Sequence, residues 1–406
     1  MCEHITGNRI KTKLLGAFLL LLFVSSCQTK PEQTPEIVDK CIPPLESFVY
    51  SSFPNLETIP GEEGMVIPPN WEIERDITNS IWMSRKNDQE IELWFADAPE
   101  SQMSFWVYCP ESKQEWNISG EIENSGVYVK EIFLDSNSAI WGLTNFEFFE
   151  NIESDQHVPI LSKLNEKTRT FEFVDVTKNV PFTVHQDDPT YSWYWTIMII
   201  GHDNLIWFLV PNDYVYVYNP VENTLEKTIS LEELMPDQAS LAPNGDIYFS
   251  EVSVLMGKGY VESSSDTRVF KIDVQNQQIE QIPVRLDPWP PFVRVFVDHK
   301  GWVWLDALGF INEEGILYQL EKSSIFLVPV FFSGMDYRWS TPEIYMESSD
   351  GRFWFSSLNG TAWLDLDEQK WCWLTTSSFK VIEDADHNLW TAAYGKLYKK
   401  KIEPEF

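Results

Sequence analysis

The sequence is poor in positive charge, with 30 Lys and Arg residues against 62 Asp and Glu residues and a formal net charge of −32. Phosphates of nucleic acids and headgroups of anionic lipids are bound through Lys and Arg, so this balance argues against both as partners of the folded domain. The apolar stretch from Leu14 to Val24 has 11 residues and is too short to span a bilayer. No kinase, receiver or transmembrane module is expected.

Catalytic and metal-binding motifs are also missing. The five cysteines form neither a Cys-x-x-Cys pair nor a zinc-type spacing. His157 and His185 have no Cys, Ser or paired acid at motif spacing, and His202, His299 and His387 fall within predicted turns. The sequence therefore favours a non-catalytic protein, without excluding an enzyme.

The N-terminus is typical of an export signal. Arg9, Lys11 and Lys13 precede the apolar stretch, which ends in Val24-Ser25-Ser26-Cys27. A pair of small residues before Cys at this place resembles the lipobox of bacterial lipoproteins. The resemblance implies that residues 1–26 are removed and that Cys27 carries the lipid, so that the domain lies outside the cytoplasm, at the cell surface or in the periplasm.

Residues 27–44 are polar and rich in Pro, which predicts a tether between the anchor and the domain of residues 45–406. Cys41, Cys109 and Cys372 remain beyond the lipidated Cys27. An exported protein can form a disulfide, so one bridge and one free thiol are expected, and the pairing is open.

A repeated pattern occupies most of the chain: a polar turn followed by an apolar run with an aromatic residue. The copies are Asp88–Trp94, Asp135–Trp141, Gly201–Trp207, Pro243–Phe249, Asp298–Trp304, Ser349–Phe355 and Asp384–Trp390. Repeats of roughly 40–50 residues with several short strands each are typical of β-propellers. We therefore predict an all-β fold with seven blades of four strands.

The last blade lacks an outer strand in the sequence after Lys401. Phe48–Ser51 or Trp71–Arg75 could supply that strand and close the ring, which would leave no exposed sheet edge there. The aromatic residue of each copy is expected to fill the wedge between blades, and the Asp residues are expected to form turns rather than to act as acids or bases.

The pattern Asp-x-x-Gly-x-apolar-Trp resembles the repeat of two-component-regulator propellers, and it is similar to the repeats of streptogramin lyase and gluconolactonase-like propellers. The resemblance covers roughly residues 75–401. Asp298–Trp304 carries the whole pattern with Gly301 in place, whereas Ser138, Asn204 and His387 stand where Gly is expected. The resemblance implies a sensory or binding propeller; the lyase and lactonase relatives imply the alternative, an enzyme with its active site at the channel mouth.

The long insertions between strands are the sequence feature that most strongly indicates a binding function. Connections from fourth to first strands are predicted at 175–192, 285–292 and 329–341, and connections from second to third strands at 145–157 and 251–267. They bring together aromatic and acidic side chains suited to a sugar or a peptide. The candidate binding residues are Asp188, Tyr191, Trp193, Trp289, Tyr337 and Trp339.

The predicted function is thus ligand or protein binding by a lipid-anchored monomer, and a glycan, a peptide or an envelope protein is the expected partner. No cofactor is expected, with Ca²⁺ as the alternative, for which Glu251 at the end of a second strand is a candidate ligand. A structural subunit of an envelope complex is the third alternative.

Overall fold

In the computed structural model, the features below concern the compact unit Leu45–Phe406. The structure describes residues 47–48, 71–77, 79–87, 90–97, 104–123, 128–129, 131–144, 161–176, 196–211, 213–231, 234–251, 254–257, 260–263, 268–284, 294–306, 309–320, 328–330, 338–340, 343–357, 360–366, 370–375, 380–393 and 395–405. In this part of the chain, no helix is long and apolar enough to cross a membrane.

The described secondary structure consists of β-strands. Two precede the repeats: β1 (Ser47–Phe48) and β2 (Glu72–Asp76). Blades 1 to 3 contain β3 (Ser80–Asn87), β4 (Glu90–Asp97), β5 (Ser104–Cys109), β6 (Gln114–Ser119), β7 (Glu131–Leu134), β8 (Ile140–Leu143), β9 (Leu161–Asn165), β10 (Thr170–Val174), β11 (Ile197–Ile200), β12 (Ile206–Leu209), β13 (Tyr214–Asn219) and β14 (Thr224–Ser230).

Blades 4 and 5 contain β15 (Pro236–Leu241), β16 (Ile247–Glu251), β17 (Val254–Gly257), β18 (Tyr260–Ser263), β19 (Arg268–Asp273), β20 (Gln278–Ile282), β21 (Val295–Val297), β22 (Val303–Leu305), β23 (Gly309–Ile311) and β24 (Leu317–Leu320). Blades 6 and 7 and the hairpin before them contain β25 (Val328–Val330), β26 (Arg338–Ser340), β27 (Glu343–Glu347), β28 (Arg352–Ser357), β29 (Gly360–Asp365), β30 (Lys370–Thr375), β31 (Val381–Glu383), β32 (Asn388–Ala393) and β33 (Lys396–Lys401).

These strands confirm the predicted seven-bladed β-propeller of four-stranded antiparallel blades. Six blades are consecutive in the chain, apart from the hairpin β17–β18, which is inserted between the second and third strands of blade 4. The hairpin β25–β26 lies between blades 5 and 6, and β1 pairs in parallel with β24 at the outer edge of blade 5.

Blade 7 takes its outer strand from the N-terminal side of the chain, as predicted. Strand β2 pairs antiparallel with β33, with Glu72 opposite Lys399, so the second of the two predicted segments closes the ring. Arg75 of β2 also lies over the rings of Trp106 and Tyr108 in blade 1, at 4.9 and 4.7 Å from their centroids. Strand β2 therefore belongs to the sheet of blade 7, continues along the chain into blade 1, and contacts blade 1 through the Arg75 side chain.

The hydrophobic core is divided into seven clusters, one at each junction between neighbouring blades. The aromatic residue of each repeat packs into the cluster shared with the next blade along the ring. Trp304 of blade 5 illustrates this, because its ring lies 4.1 Å from the ring of Phe353 in blade 6. Six of the seven motif aromatics are buried Trp residues, and the seventh, Tyr248, is half-buried.

The Asp that begins the repeat holds both the turn and the Trp. In blade 5, Asp298 Oδ1 accepts hydrogen bonds from the backbone N–H groups of Lys300 and Trp302, at 2.9 and 2.8 Å. Its Oδ2 accepts one from Trp304 Nε1 at 3.0 Å. Asp135 and Asp384 bind their turns and tryptophans in the same way. These carboxylates are structural acceptors, as expected from the sequence.

Blade 6 has Ser348 in place of the turn Asp. This residue directly precedes the predicted repeat Ser349–Phe355, and its Oγ accepts the hydrogen bond from Trp354 Nε1 at 3.0 Å. A hydroxyl can replace the carboxylate here because one acceptor is enough for the indole N–H.

The fourth residue of the turn has a left-handed backbone in six copies. Gly245, Gly301 and Gly351 have φ values of 90°, 81° and 75°, and the three non-glycine residues Ser138, Asn204 and His387 have values of 62°, 63° and 58°. The predicted departures from the Gly pattern therefore change the side chain and leave the turn geometry intact. Each non-glycine residue at this position carries a steric cost.

Replacing Ser138 by Gly should raise the free energy of unfolding by about 1 kcal/mol. A left-handed conformation costs an L-residue about 1–2 kcal/mol, and the greater freedom of Gly in the unfolded chain cancels part of the gain. The matched control is Gly301→Ser, which should lower the free energy of unfolding by a similar amount. No atom lies within 4 Å of the position that its Cβ would take, so the loss should come from the left-handed backbone and not from a clash. Urea denaturation of both variants measures this, and shifts of the same sign in both would contradict it.

Candidate binding face

Strand order defines two faces of the ring. The upper face is where first strands begin and second strands end, and the lower face carries the turns that join first to second strands, such as Asp298–Gly301. The connections at residues 175–196, 283–294 and 321–342 each join a fourth strand to a first strand, so all three begin and end at the upper face. This topology agrees with the predicted placement of the insertions.

The predicted binding residues themselves remain predictions. Those that lie outside the described residues are Asp188, Tyr191, Trp193, Trp289 and Tyr337, and the same holds for the proposed lipidation site Cys27. Trp339 lies in β26, opposite Pro329, and its side chain is outside the description.

Two buried carboxylates at the ends of second strands hold the upper face together. Asp306 Oδ2 accepts a hydrogen bond from the backbone N–H of Arg294 at 2.7 Å, and Glu251 Oε1 accepts one from Met235 N–H at 3.3 Å. In both cases the donor lies just before the first strand of the same blade. Each acid thus ties the start of the first strand to the end of the second.

Asp306 combines three unusual properties. It is buried, its φ of 46° is left-handed, and burial raises its pKa well above the ordinary value. Glu251 is among the residues predicted from the sequence, whereas Asp306 is not. The sequence does carry a signal for both residues, because in both blades an acidic residue lies at the end of the apolar second strand or directly after it.

Three innermost strands bring further polar groups to the upper mouth of the channel. Arg294, at the start of blade 5, forms an ion pair with Glu343, at the start of blade 6. Lys380, at the start of blade 7, donates a hydrogen bond to the carbonyl oxygen of Trp82 in blade 1 at 2.7 Å. Tyr345 Oη in blade 6 accepts a hydrogen bond from Val381 N–H at 3.1 Å. None of these residues was predicted from the sequence.

The three turn histidines lie on the lower face, and each contacts a neighbouring blade. His202 Nε2 lies 3.0 Å from the carbonyl oxygen of Ala242, and His299 Nδ1 lies 2.6 Å from Glu347 Oε1. His387 Nδ1 lies 2.9 Å from Glu383 Oε1 and 3.0 Å from Ser349 Oγ. All three were predicted to fall within turns, and the structure also uses them between blades.

Ser349, His387 and Glu383 have the composition of a catalytic triad but not its geometry. A triad needs the hydroxyl on one ring nitrogen of His and the carboxylate on the other. Here both approach Nδ1, and the Ser349 hydroxyl and backbone N–H both donate to the Glu383 carboxylate. The cluster therefore fastens blade 6 to blade 7 and lacks a relay that could activate the hydroxyl.

The lactonase-type prediction placed a divalent ion near Glu251. Its carboxylate is 2.5 Å from Arg268 Nε and also accepts the Met235 N–H, so it is already neutralised by protein groups. Across the described ranges, no three His, Cys, Asp or Glu side chains converge on a common point suited to a metal. The Ca²⁺ alternative stays a prediction.

Cys109 is a buried free thiol, and burial raises its pKa to about 11. A thiol with this pKa is almost fully protonated at neutral pH and is unreactive. Cys41 lies outside the described residues and the Cys372 side chain does too, so the expected disulfide is not tested.

No protein-family model and no curated protein matches this sequence. Among solved structures, the extracellular domain of a hybrid two-component system of B. thetaiotaomicron matches with a TM-score of 0.50 and 13% identity, over 82% of this chain and 41% of that one. The chain thus spans about two fifths of that domain. Hydrazine synthase of Kuenenia stuttgartiensis matches with a TM-score of 0.50 and 10% identity, over 86% of this chain and 100% of that one.

At these identities the two matches show the fold alone. The first fits the predicted resemblance to two-component-regulator propellers. The second carries the name of an enzyme, so the same fold occurs in proteins of both functional classes that the sequence left open. The function of this chain must therefore be inferred from its own residues.

The Asp306→Asn variant should change the dependence of stability on pH. Because the folded pKa is raised above the unfolded value, the wild type loses stability as pH rises through the folded pKa. The Asn side chain keeps an acceptor for Arg294 N–H and cannot ionise. Its advantage over the wild type should therefore grow by about 1.4 kcal/mol for each pH unit between the unfolded and the folded pKa.

Guanidinium denaturation at pH 4, 6 and 8 measures this effect. The matched control is Asp273→Asn, at an exposed turn where backbone and side-chain hydrogen bonds from Asn276 lower the pKa of the carboxyl. Removal of the Asp273 carboxylate should lower the free energy of unfolding at high pH and change it little at low pH. This trend is the opposite of the one expected for Asp306→Asn. A constant loss of stability in Asp306→Asn across the three pH values would show that its ionisation is not involved.

Proposed function

We propose that this chain is a non-catalytic binding propeller, anchored to a bacterial membrane through Cys27, that recognises its ligand at the upper face outside the cytoplasm. The main support is the distribution of polar groups between the two faces. On the lower face, described acids and histidines such as Asp298, Asp384, Glu347 and His387 are engaged in turns and junctions. The upper face combines the long connections with the polar groups of the channel mouth.

A sensory role is the form of binding that the comparison supports best. The solved domain of the B. thetaiotaomicron system has the same fold and belongs to a signalling protein. Glycans, peptides and envelope proteins are the candidate ligands, because aromatic planes interleaved with carboxylates offer both stacking surfaces and hydrogen-bond acceptors. A lipid anchor would keep such a domain close to the membrane.

An enzyme of the lyase or lactonase kind is the second candidate, and the Ser349–His387–Glu383 cluster has the residue types that its catalysis would use. The cluster would need its hydroxyl in contact with the free ring nitrogen, and the three residues are positioned differently. The third candidate, a structural subunit, calls for a continuous apolar patch. The exposed large hydrophobic residues of the described part, Ile73, Phe173, Tyr214 and Val221, belong to three different blades or their turns.

Trp289→Ala and Trp339→Ala should each weaken ligand binding by roughly 1–3 kcal/mol while the protein stays folded, if they are exposed anchors of the binding face. The assay is a screen of the purified protein against glycans, peptides and co-purifying envelope proteins, followed by calorimetric titration of the variants. The control is Trp304→Ala, a fully buried side chain of the core, which should lose about 3–5 kcal/mol of stability. If Trp289→Ala and Trp339→Ala behave like this control, the site lies elsewhere.

Cys27→Ala should abolish lipidation. Growth of the expressing cells with a fatty-acid probe should label the wild type and leave this variant unlabelled. Cys2→Ala serves as the matched control, because residue 2 belongs to the signal peptide and should not carry the lipid of the mature protein. Equal labelling of the wild type and Cys27→Ala would contradict the proposed anchor.

A further inference from the structure

The innermost strand of blade 6, β27, begins and ends with an acidic residue, and both acids contact blade 5. Glu343, at the upper end of the strand, forms an ion pair with Arg294 at the start of blade 5. Glu347, at the lower end, accepts a hydrogen bond from the His299 backbone N–H at 2.9 Å and lies 2.6 Å from His299 Nδ1. These contacts lie on either side of the aromatic cluster that Trp304 shares with blade 6.

The upper end of this junction contains two carboxyls and one guanidinium. Asp306 of blade 5 accepts the Arg294 backbone N–H at 2.7 Å, and the charges of Arg294 and Glu343 both act on its carboxyl. Asp306 is 1% exposed, so an ionised carboxylate there loses the hydration that it has in the unfolded chain. Burial therefore raises the pKa of Asp306, against the opposing effect of the Arg294 N–H and guanidinium.

The lower end repeats this composition, with a histidine in place of the arginine. Only 6% of the Glu347 side chain is exposed, and its charged neighbours are His299 and Asp298 of the blade 5 turn. Burial raises the pKa of Glu347, the contacts with His299 oppose this, and the Asp298 charge adds to it. Burial also raises the pKa of Asp298, although hydrogen bonds from Trp304 Nε1 and two backbone N–H groups favour its charged form.

Three carboxyls of the described residues have a raised pKa, and all three lie at this one junction. The junction between blades 1 and 2 offers a comparison, because it also combines two acids with one cation. There the Arg85 guanidinium donates hydrogen bonds to both Glu92 and Glu166, so a permanent positive charge binds each carboxylate directly. Asp306, in contrast, binds the backbone N–H of Arg294, which carries no net charge.

We propose that the junction between blades 5 and 6 is a pH-sensitive joint of the ring, tight while one acid at each end keeps its proton and looser once all are ionised. When both carboxyls at one end release their protons to solvent, two negative charges face each other across the junction beside a single cation. Burial keeps water from screening this repulsion, and separation of the two blades relieves it. The joint does not depend on the proposed binding function.

The direction of the pH effect follows from the raised pKa values of Asp298, Asp306 and Glu347. For each of them the folded pKa lies above the unfolded pKa of about 4. The stability that such a group contributes is present below the unfolded pKa and is lost as pH rises through the folded pKa. Acid therefore tightens the junction, and a rise in pH above about 4 weakens it.

The joint lies beside one of the long connections of the upper face. Residues 321–342, which contain the hairpin β25–β26, join the last strand of blade 5 to the first strand of blade 6 and end directly before Glu343. A looser junction would let the two ends of this connection move relative to each other. The pH of the surroundings would thus regulate the arrangement of the upper face.

Hydrogen–deuterium exchange of the purified protein at pH 5 and pH 8, followed by mass spectrometry, tests the joint. After correction for the intrinsic exchange rates, peptides covering β21, β22 and β27 should be protected at least about tenfold less at pH 8, the equivalent of one pKa unit. Peptides covering β11 and β12 of blade 3 are the internal control and should keep their protection. Equal protection of the joint at both pH values, or an equal loss in all blades, would overturn the proposal.

The double variant Asp306→Asn/Glu347→Gln removes one ionisable group from each end of the junction and keeps a hydrogen-bond acceptor at both positions. At pH 8 its joint should be protected to about the degree that the wild type shows at pH 5. Glu166→Gln, at the junction between blades 1 and 2, is the matched control and should leave the pH effect on the joint unchanged. A pH effect that persists in the double variant would contradict the role of these acids, and the comparison of blades within the wild type decides if the variant does not fold.

Discussion

Packing between neighbouring blades is the interaction on which the rest of the structure depends. Among the described residues no blade has a core of its own, because each buried cluster draws residues from two sheets. In six of these clusters the motif aromatic is a buried Trp, and burial of one Trp removes on the order of 200 Å² from water. At about 25 cal/mol per Å², this is worth up to ~5 kcal/mol per blade.

Such packing makes the ring cooperative, and closure is then essential. An open ring would leave one wedge without its neighbour, exposing the cluster that Trp390 shares with Ile81, Ile91 and Leu93. Strand β2 prevents this by completing blade 7, and Arg75 extends its contacts to the aromatic residues of blade 1. The N-terminal side of the domain is therefore part of the fold, even though the repeat begins after it.

Polar contacts on the lower face reinforce the same junctions between blades, and different residues form these contacts at each junction. The pairs, in order around the ring, are Arg85 with Ser138 and Glu166, Ser136 with Asn204, His202 with Ala242, Ser240 with Val297, His299 with Glu347, Ser349 with Glu383, and Lys86 with Asp386. This variety explains why the repeats diverge. The geometry of the turn is constrained, whereas the group that reaches the next blade can vary.

Much of the fold could be predicted from the sequence because the wedge between blades demands a large aromatic at a fixed place. That demand leaves a signal in every copy, from Trp94 to Trp390. The turn Asp was equally predictable, since one carboxylate must satisfy two backbone N–H groups and an indole. In blade 6 the turn Asp is replaced by Ser348, whose hydroxyl accepts the indole N–H of Trp354, so this copy carries a weaker sequence signal.

The candidate site was far less predictable, because it is assembled from residues that are ordinary in the sequence. Lys380, Tyr345 and Trp82 belong to three blades, and only the closed ring brings them to one mouth. Their contacts depend on the bulges at Trp82 and Tyr345, and a bulge leaves no recognisable signal in the local sequence.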